Sequence, residues 1–373
     1  MKNILFLTIL IIIAALGVFS FERISKNPES LIPLPYKFAP SLSAQIDSEN
    51  IPILIIGDRL GFQLAGYKDY LAEKISINLT KKVKILSMAQ KGEALHRTLQ
   101  KVKRLNKLPL ITIYLGGSEE YFEKKFLSKD ITIIENNFKL FSDDRIKTLL
   151  IVFPYLSKLI YDPVSYRVFD EKILKDETDY SDTIALKRKM IGFEIYKEEL
   201  NELFSYMKDR GSYLFALTTP INYDTPPNKS CDGSLDEFTS KRFDEAVELI
   251  KIKDFKKAYS ITKDLVLIAN NNAKIFYIHG QVAESLGYQK EGQRSLEMGV
   301  SLDCTQWRGT PVHNAILRKT AKDNEVVLFD FDKFLIADRN SNTVFSDKVY
   351  PQGLYIEKIA DILSDRIKRL LKL

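Results

Sequence analysis

The sequence has only two cysteines, Cys231 and Cys304, and no cysteine or histidine cluster with the spacing of a metal site. At most one disulfide can form, so a bridge and two unpaired thiols both remain open. The sequence also lacks glycine-, proline- and glutamine-rich tracts, which argues against a low-complexity chain. No run of lysine or arginine is interleaved with aromatic residues, and the net charge of +6 is mild for 373 residues. We therefore expect no metal, no cofactor and no nucleic-acid partner.

The residues that are present have the composition of a folded protein. Hydrophobic residues make up 45% of the chain and aromatic residues 11%. A chain of this length holds one large α/β domain or two smaller ones, and it buries a full core.

The N-terminus carries a long apolar segment. Lys2 precedes an 18-residue run, Ile4 to Phe21, which only Thr8, Gly17 and Ser20 interrupt. A helix of that length spans roughly 27 Å, close to the hydrocarbon core of a bilayer. The exit from the run does not fit the small-x-small pattern of a cleaved signal, which remains the alternative. We predict an uncleaved, single-pass anchor over residues 1–21 in a bacterial inner membrane, with the body in the periplasm or outside the cell.

The pattern changes after the anchor. Residues 22–50 contain four prolines and no helical or strand period, so we interpret them as a linker. From residue 51, short apolar runs alternate with amphipathic stretches, which is typical of parallel strands separated by helices. Six runs are predicted as strands: Ile53–Ile56, Val83–Leu86, Leu110–Leu115, Thr148–Phe153, Tyr213–Thr218 and Val326–Phe329. The predicted fold is a three-layer α/β/α parallel sheet, flavodoxin-like, in two parts over residues 51–238 and 307–373.

Residues 239–306, between these parts, are predicted to be helical and to repeat. Ala246 and Gly280 are 34 residues apart, as are Ala258 and Gly292. Small residues at this spacing, where paired helices come close, resemble tetratricopeptide repeats. Two copies are fewer than the three or so that stand alone, so we expect this all-α insert to pack on its host domain. An ordinary pair of helical hairpins is the alternative.

Short polar or glycine-containing segments follow several predicted strands. Gly57–Leu60 (GDRL) follows the first strand, Gly92 begins the helix after the second, and Leu115–Glu119 (LGGSE) follows the third. Asp347–Tyr350 (DKVY) precedes the last helix. Because ligands of open parallel sheets bind at the carboxyl ends of the strands, we expect these segments to meet at one edge of the sheet.

In this order the four segments resemble the SGNH (GDSL-type) hydrolase superfamily of esterases and acyl-transfer enzymes. The position of the insert is similar to that in a bacterial subgroup of repeat-containing SGNH-like proteins. The resemblance implies a serine nucleophile after Gly-Asp and a histidine base three residues after an aspartate. It also implies that a backbone N–H, a glycine and an asparagine hold the oxyanion. The matching residues of this chain are Gly57, Asp58, Gly92, Gly117 and Asp347.

Three positions depart from that pattern. Arg59 stands at the nucleophile position, Ser118 at the asparagine position and Tyr350 at the histidine position. Arginine stays protonated and is no nucleophile, and a tyrosine pKa near 10 makes a poor base at neutral pH. None of the chain's histidines lies at a matching place, and we expect core or surface roles for His96, His279 and His313.

We hypothesise that Arg59 forms an ion pair with a buried Asp347, and that Tyr350 packs over it. Anion binding by Arg59 and a plain exposed turn are the alternatives. The resemblance then implies a non-catalytic protein that binds a cell-envelope glycan or, through the helical repeats, a protein partner. The rival is an active esterase or acetyltransferase, with Ser118 as nucleophile or a water held by Asp58 and Asp347. A generic flavodoxin-like sheet with no SGNH kinship also remains open.

Overall fold

A computed structural model describes residues 51–77, 82–120, 125–126, 128–153, 156, 160, 182–230, 235–305, 307–339 and 342–371. The predicted anchor and linker lie outside the described residues. Within these ranges no helix is both long and apolar enough to cross a membrane. The described residues fall into two compact units, of which the first holds residues 125–160 and the second holds the rest.

The second unit is built on a five-stranded parallel sheet. The strands are β1 (Ile51–Gly57), β2 (Val83–Ser87), β3 (Ile111–Leu115), β4 (Tyr213–Leu217) and β5 (Val327–Phe329). Their order is β2-β1-β3-β4-β5, one of the two common orders of doubly wound α/β sheets. The predicted α/β class and parallel sheet are confirmed, and five of the six predicted strands are present. In this order the switch point lies between β1 and β3.

Helices cover both faces of the sheet, and the side chains of β1 are buried on both sides. Ile53 and Ile55 pack against one set of helices, and Leu54 and Ile56 against the other. The first set is α1 (Arg59–Ala65), α2 (Lys68–Ser76), α12 (Phe331–Arg339) and α13 (Gly353–Leu371). The second set is α3 (Leu95–Lys103), α6 (Asp182–Asp209) and α11 (Pro311–Asp323). The sheet is therefore the middle of three layers.

The predicted strand over Thr148–Phe153 is wrong. Residues 148–152 belong to α5 (Asp144–Val152), and Phe153 follows its end. In the first unit α5 comes after a 3₁₀ turn (Ser128–Asp130) and α4 (Ile131–Phe141). Asp143 caps α5 by accepting a hydrogen bond from the Arg145 N–H at 2.8 Å. A short apolar run fits a helix as well as a strand, and the upstream cap decides in favour of the helix.

Residues 237–301 form four helices between β4 and α11: α7 (Glu237–Lys251), α8 (Phe255–Ile268), α9 (Ala273–Ser285) and α10 (Gln289–Ser301). The predicted close approach is present, because a Cβ on Gly280 would lie 2.9 Å from the Gly292 carbonyl oxygen. The helices pack on the segment after β4 through a buried cluster that includes Ile221 and Tyr223. The expected packing of the insert on its host is therefore confirmed.

Cys304 lies just after α10, near the end of this insert, and is disulfide-bonded. Of the two alternatives left open by the sequence, an unpaired thiol at Cys304 is wrong. The other cysteine of the chain, Cys231, lies outside the described residues.

Candidate functional site

Asp58 stands between β1 and α1 and joins two loops. One carboxylate oxygen accepts a hydrogen bond from the Leu60 N–H at 2.9 Å, which caps α1. The other accepts three, from the Ser118 N–H (2.7 Å), the Ser118 hydroxyl (2.8 Å) and the Glu119 N–H (3.1 Å). Asp58 is buried, with 2% of its surface exposed. It therefore clamps the loop after β3 to the start of α1.

Two glycines allow these loops to meet. Gly57 ends β1 with φ of +132°, and a Cβ there would lie 2.0 Å from the Leu115 carbonyl oxygen. Gly117 has φ of +102°, and a Cβ there would lie 2.6 Å from the Thr219 hydroxyl oxygen. A side chain at either position would strain the backbone; at Gly57 it would also collide with Leu115 at the end of β3, and at Gly117 with Thr219 after β4.

Glu119 is the centre of the site. Its Oε2 accepts hydrogen bonds from the Arg59 N–H at 3.0 Å and the Gly92 N–H at 2.7 Å. Its Oε1 accepts one from the Tyr350 hydroxyl at 3.2 Å. The turn after β2, the start of α1 and the turn before α13 thus converge on one carboxylate, which is 5% exposed. Two backbone N–H groups on one oxygen form an anion-binding arrangement, and the chain fills it with its own side chain.

The Arg59 side chain lies against Tyr350. Its guanidinium carbon is 3.9 Å from the centroid of the tyrosine ring, within the range of a cation–π contact. The hypothesis packed Tyr350 over an ion pair of Arg59 with Asp347; in the structure the tyrosine ring contacts the Arg59 guanidinium. The predicted ion pair between Arg59 and Asp347 is wrong, because the structure contains no such pair.

Asp347 shows why the ion pair is not needed. Its side chain is exposed, not buried as the hypothesis required. One carboxylate oxygen accepts hydrogen bonds from the N–H groups of Val349 and Tyr350, both at 2.7 Å. Its backbone carbonyl accepts one from the Asn222 side-chain amide at 3.1 Å. Asp347 is therefore satisfied within its own turn, and it orients that turn so that Tyr350 reaches Glu119.

Burial changes the acidity of two site residues. The pKa of Asp58 is raised from 3.8 to about 7, first by burial and then by the Glu119 carboxylate, against hydrogen bonds from Leu60 and Ser118 that lower it. Burial, and after it the Glu119 and Asp58 carboxylates, also raise the pKa of the Tyr350 phenol. Tyr350 therefore stays protonated at neutral pH and donates to Glu119, so it does not serve as a general base.

The three histidines are buried among other side chains, as expected for core roles. His96 Nδ1 lies 2.9 Å from a Glu199 carboxylate oxygen. His279 lies between the Thr262 hydroxyl and the Glu291 carboxylate, at 3.0 and 3.1 Å. His313 Nδ1 lies 3.0 Å from the Thr310 hydroxyl, and its ring packs edge-on against Tyr196.

The predicted site residues meet at one edge of the sheet. Hydrogen bonds and the ring contact link six of the residues singled out in the sequence, directly or through Glu119: Asp58, Arg59, Gly92, Ser118, Asp347 and Tyr350. Gly117 directly precedes Ser118 in the loop after β3. Gly92 lies in the turn before α3 rather than at the helix start, which is Leu95. Sequence reasoning gave no role to Glu119, although it directly follows Ser118. The functions assigned to these residues stay predictions.

No protein-family model matches the chain, and no curated protein matches it. One solved structure to which it is similar is that of LAE5, an alpha/beta hydrolase enzyme from the metagenome of Lake Arreo, Spain. The identity is 10%, the match covers 84% of this chain and 94% of the LAE5 chain, and the TM-score is 0.37. A similarity this distant carries nothing about substrate or mechanism. Among the described residues, no group of three or more His, Cys, Asp or Glu side chains is placed to hold a metal ion.

Proposed function

We propose that the chain is a membrane-anchored, extracytoplasmic SGNH-like protein that binds a cell-envelope glycan or a protein partner and catalyses no reaction. The observation that carries this proposal is the Glu119 carboxylate on the N–H groups of Arg59 and Gly92. Under the SGNH resemblance, those are the groups that would hold the oxyanion of an ester intermediate. A carboxylate already bound there repels a second negative charge.

The nucleophile and base positions support the same proposal. Arg59 has no nucleophilic atom at neutral pH, and its guanidinium is stacked on Tyr350. The pKa of Tyr350 is raised, and its hydroxyl donates a hydrogen bond to Glu119. The three described positions that the SGNH resemblance assigns to a nucleophile, a base and a vacant oxyanion site therefore supply none of these parts of acyl transfer.

The location outside the cytoplasm is supported by two features. The apolar run over residues 4–21 has the length of a membrane anchor. The disulfide at Cys304 is of a kind that persists in oxidising compartments.

The partner version of the proposal uses the helical insert as a tetratricopeptide-like module. Repeat helices of that type bind peptides in the grooves between them. The insert exposes several large apolar side chains on and beside its helices, which a partner would cover: Phe238, Ile252, Leu267, Ile268, Tyr288 and Met298.

One observation favours the rival, a working esterase with Ser118 as nucleophile. The Ser118 hydroxyl donates to Asp58 at 2.8 Å, and a pKa of about 7 suits a general base at neutral pH. Against it, Ser118 is 1% exposed and Asp58 already accepts three further hydrogen bonds.

Hydrolysis of an activated acetyl ester by the purified full chain in detergent separates the two. We expect the wild type, Ser118→Ala and Asp347→Ala to give the same slow background rate. Turnover in the wild type that either substitution abolishes would overturn the non-catalytic proposal. Ser346→Ala, which changes an exposed hydroxyl in the same turn as Asp347, controls for unspecific effects.

A further inference from the structure

The two buried carboxylates of the site are not paired with any cation. Asp58 and Glu119 accept hydrogen bonds only from N–H and hydroxyl groups, and within the described part of the chain no lysine, arginine or histidine forms an ion pair with either. Burying a charge without a partner is costly. Glu119 lies beside the Asp58 carboxylate and is itself 5% exposed.

A suitable cation is nevertheless adjacent. The Arg59 guanidinium is half-buried and lies over the ring of Tyr350, whose hydroxyl is bonded to Glu119. Among the residues that the structure describes, it forms no ion pair. The site therefore holds a carboxylate without a cation and a cation without a carboxylate, side by side.

The groups around Glu119 form a carboxylate cradle, which we define as the Arg59 N–H, the Gly92 N–H and the Tyr350 hydroxyl. These three donors come from three separate segments and all point to one carboxylate. A carboxylate is the chemical group that this geometry fits, because both of its oxygens find donors at the same time.

The rim of the cradle adds charge and an apolar surface. Lys91 is exposed and directly precedes Gly92, and its ammonium lies 4.8 Å from the centre of the Phe62 ring. Phe62 is one helical turn after Arg59 and is 47% exposed. Two cations and an exposed aromatic ring thus lie on residues adjacent in the chain to the cradle donors, Lys91 beside Gly92 and Phe62 one turn after Arg59. An acidic sugar matches this combination, with its carboxylate toward the cations and its ring against Phe62.

We propose that Glu119 is an internal stand-in for a ligand carboxylate, and that an acidic sugar binds by displacing it and pairing with Arg59. The choice of a sugar over another carboxylate rests on the glycan version of the proposed function. Binding exchanges one carboxylate for another in the cradle and adds an ion pair that the free protein lacks.

Small carboxylates test the cradle in a variant from which Glu119 has been removed. In Glu119→Ala, formate is expected to bind with a dissociation constant in the millimolar range and to raise the melting temperature by roughly 2 °C at 50 mM. Sodium chloride at the same ionic strength is expected to give no such rise. Glu120→Ala is the matched control, because this neighbouring buried carboxylate accepts from the N–H of Leu95, which is not one of the cradle donors. An equal rise in melting temperature in both variants, or no rise in Glu119→Ala, would contradict the claim that the cradle binds a carboxylate.

Titration calorimetry on the full chain tests the ligand and does not depend on Glu119→Ala folding. D-glucuronate is expected to bind the wild type, D-glucose is not, and Arg59→Gln is expected to lose at least tenfold in affinity. Tighter binding of N-acetylglycine than of glucuronate would contradict the choice of an acidic sugar as the ligand. No binding of either compound would contradict the proposed displacement of Glu119 by a ligand carboxylate. Ester turnover would overturn the proposed function and leave these results unchanged, so the two failures are distinguishable.

Discussion

The raised pKa of Asp58 predicts how the stability of the protein depends on pH. In the folded protein this pKa is about 7, against an ordinary value of 3.8. Between these two values the folded state binds the proton more tightly than the unfolded state. The stability that protonation contributes is therefore fully present below about pH 4 and is lost as the pH rises to 7. About three pKa units at 1.36 kcal/mol each correspond to a loss on the order of 4 kcal/mol.

Other groups titrate in the same range, so the test compares variants. Asp58→Asn removes the titration, and its amide oxygen still accepts from the loop after β3. We expect the wild type to lose on the order of 4 kcal/mol of unfolding free energy relative to this variant between pH 4 and 7.5. Urea denaturation followed by circular dichroism, at constant ionic strength, measures the difference. If the unfolding free energy of the wild type minus that of Asp58→Asn stays constant or increases with pH, the claim that burial penalises the charged form of Asp58 is refuted.

Two further aspartates serve as controls. The pKa of Asp332 is also raised to about 7, chiefly by burial, so Asp332→Asn is expected to give a difference of the same sign. Asp236 caps α7, and hydrogen bonds from Thr239 lower its pKa. The stability it contributes is present above its ordinary pKa and is lost only in acid. Asp236→Asn is therefore expected to show a flat difference between pH 4.5 and 7.5.

Three other outcomes are expected from the structure. Tyr350→Phe keeps the ring under Arg59 but removes the hydrogen bond to Glu119, so it should lower the unfolding free energy by about 1–2 kcal/mol in urea denaturation. Gly280→Ala should destabilise by about 1–3 kcal/mol because a Cβ would meet the α9–α10 contact, whereas Gly192→Ala, in α6 with open space around it, should stabilise by about 0.5–1 kcal/mol. Reduction of the disulfide at Cys304 should lower the melting temperature, measured with and without dithiothreitol.

Most of the sheet could be predicted because its strands are strongly patterned. The residues of β1 from Ile53 to Ile56 are all apolar and fully buried. A strand that is apolar on both faces predicts a layer of helices on each side of the sheet. The run after Thr148 has the same composition but follows the capping residue Asp143. Composition alone did not separate these two cases, because a short apolar run carries no period of its own.

The site was predicted only in part, for a different reason. Topology brings strand ends together whatever their side chains are, so the meeting of Asp58, Gly92 and Ser118 follows from the parallel sheet. Tyr350 lies in the turn before α13, and its approach to Glu119 depends on that turn. The partner of each side chain depends on loop geometry at the scale of one hydrogen bond. The hypothesis for Asp347 assumed a buried carboxylate, and the local turn satisfied it with two backbone N–H groups instead. Pairing of charges cannot be inferred where the backbone supplies competing donors.

The same geometry distinguishes residues whose identity bears on catalysis from residues whose identity is explained by their structural role. Gly57 and Asp58 match a catalytic motif, yet the glycine is required by a 2.0 Å approach to the neighbouring strand and the aspartate by four hydrogen bonds that join two loops. Asp347 likewise has a structural role, because its carboxylate accepts the N–H groups of Val349 and Tyr350 and so stabilises the turn before α13. None of these roles needs a nucleophile, so their presence says nothing about activity. The positions that bear on the proposed function are Arg59, Glu119 and Tyr350, because their side chains determine whether the N–H groups of Arg59 and Gly92 are free or occupied by a carboxylate.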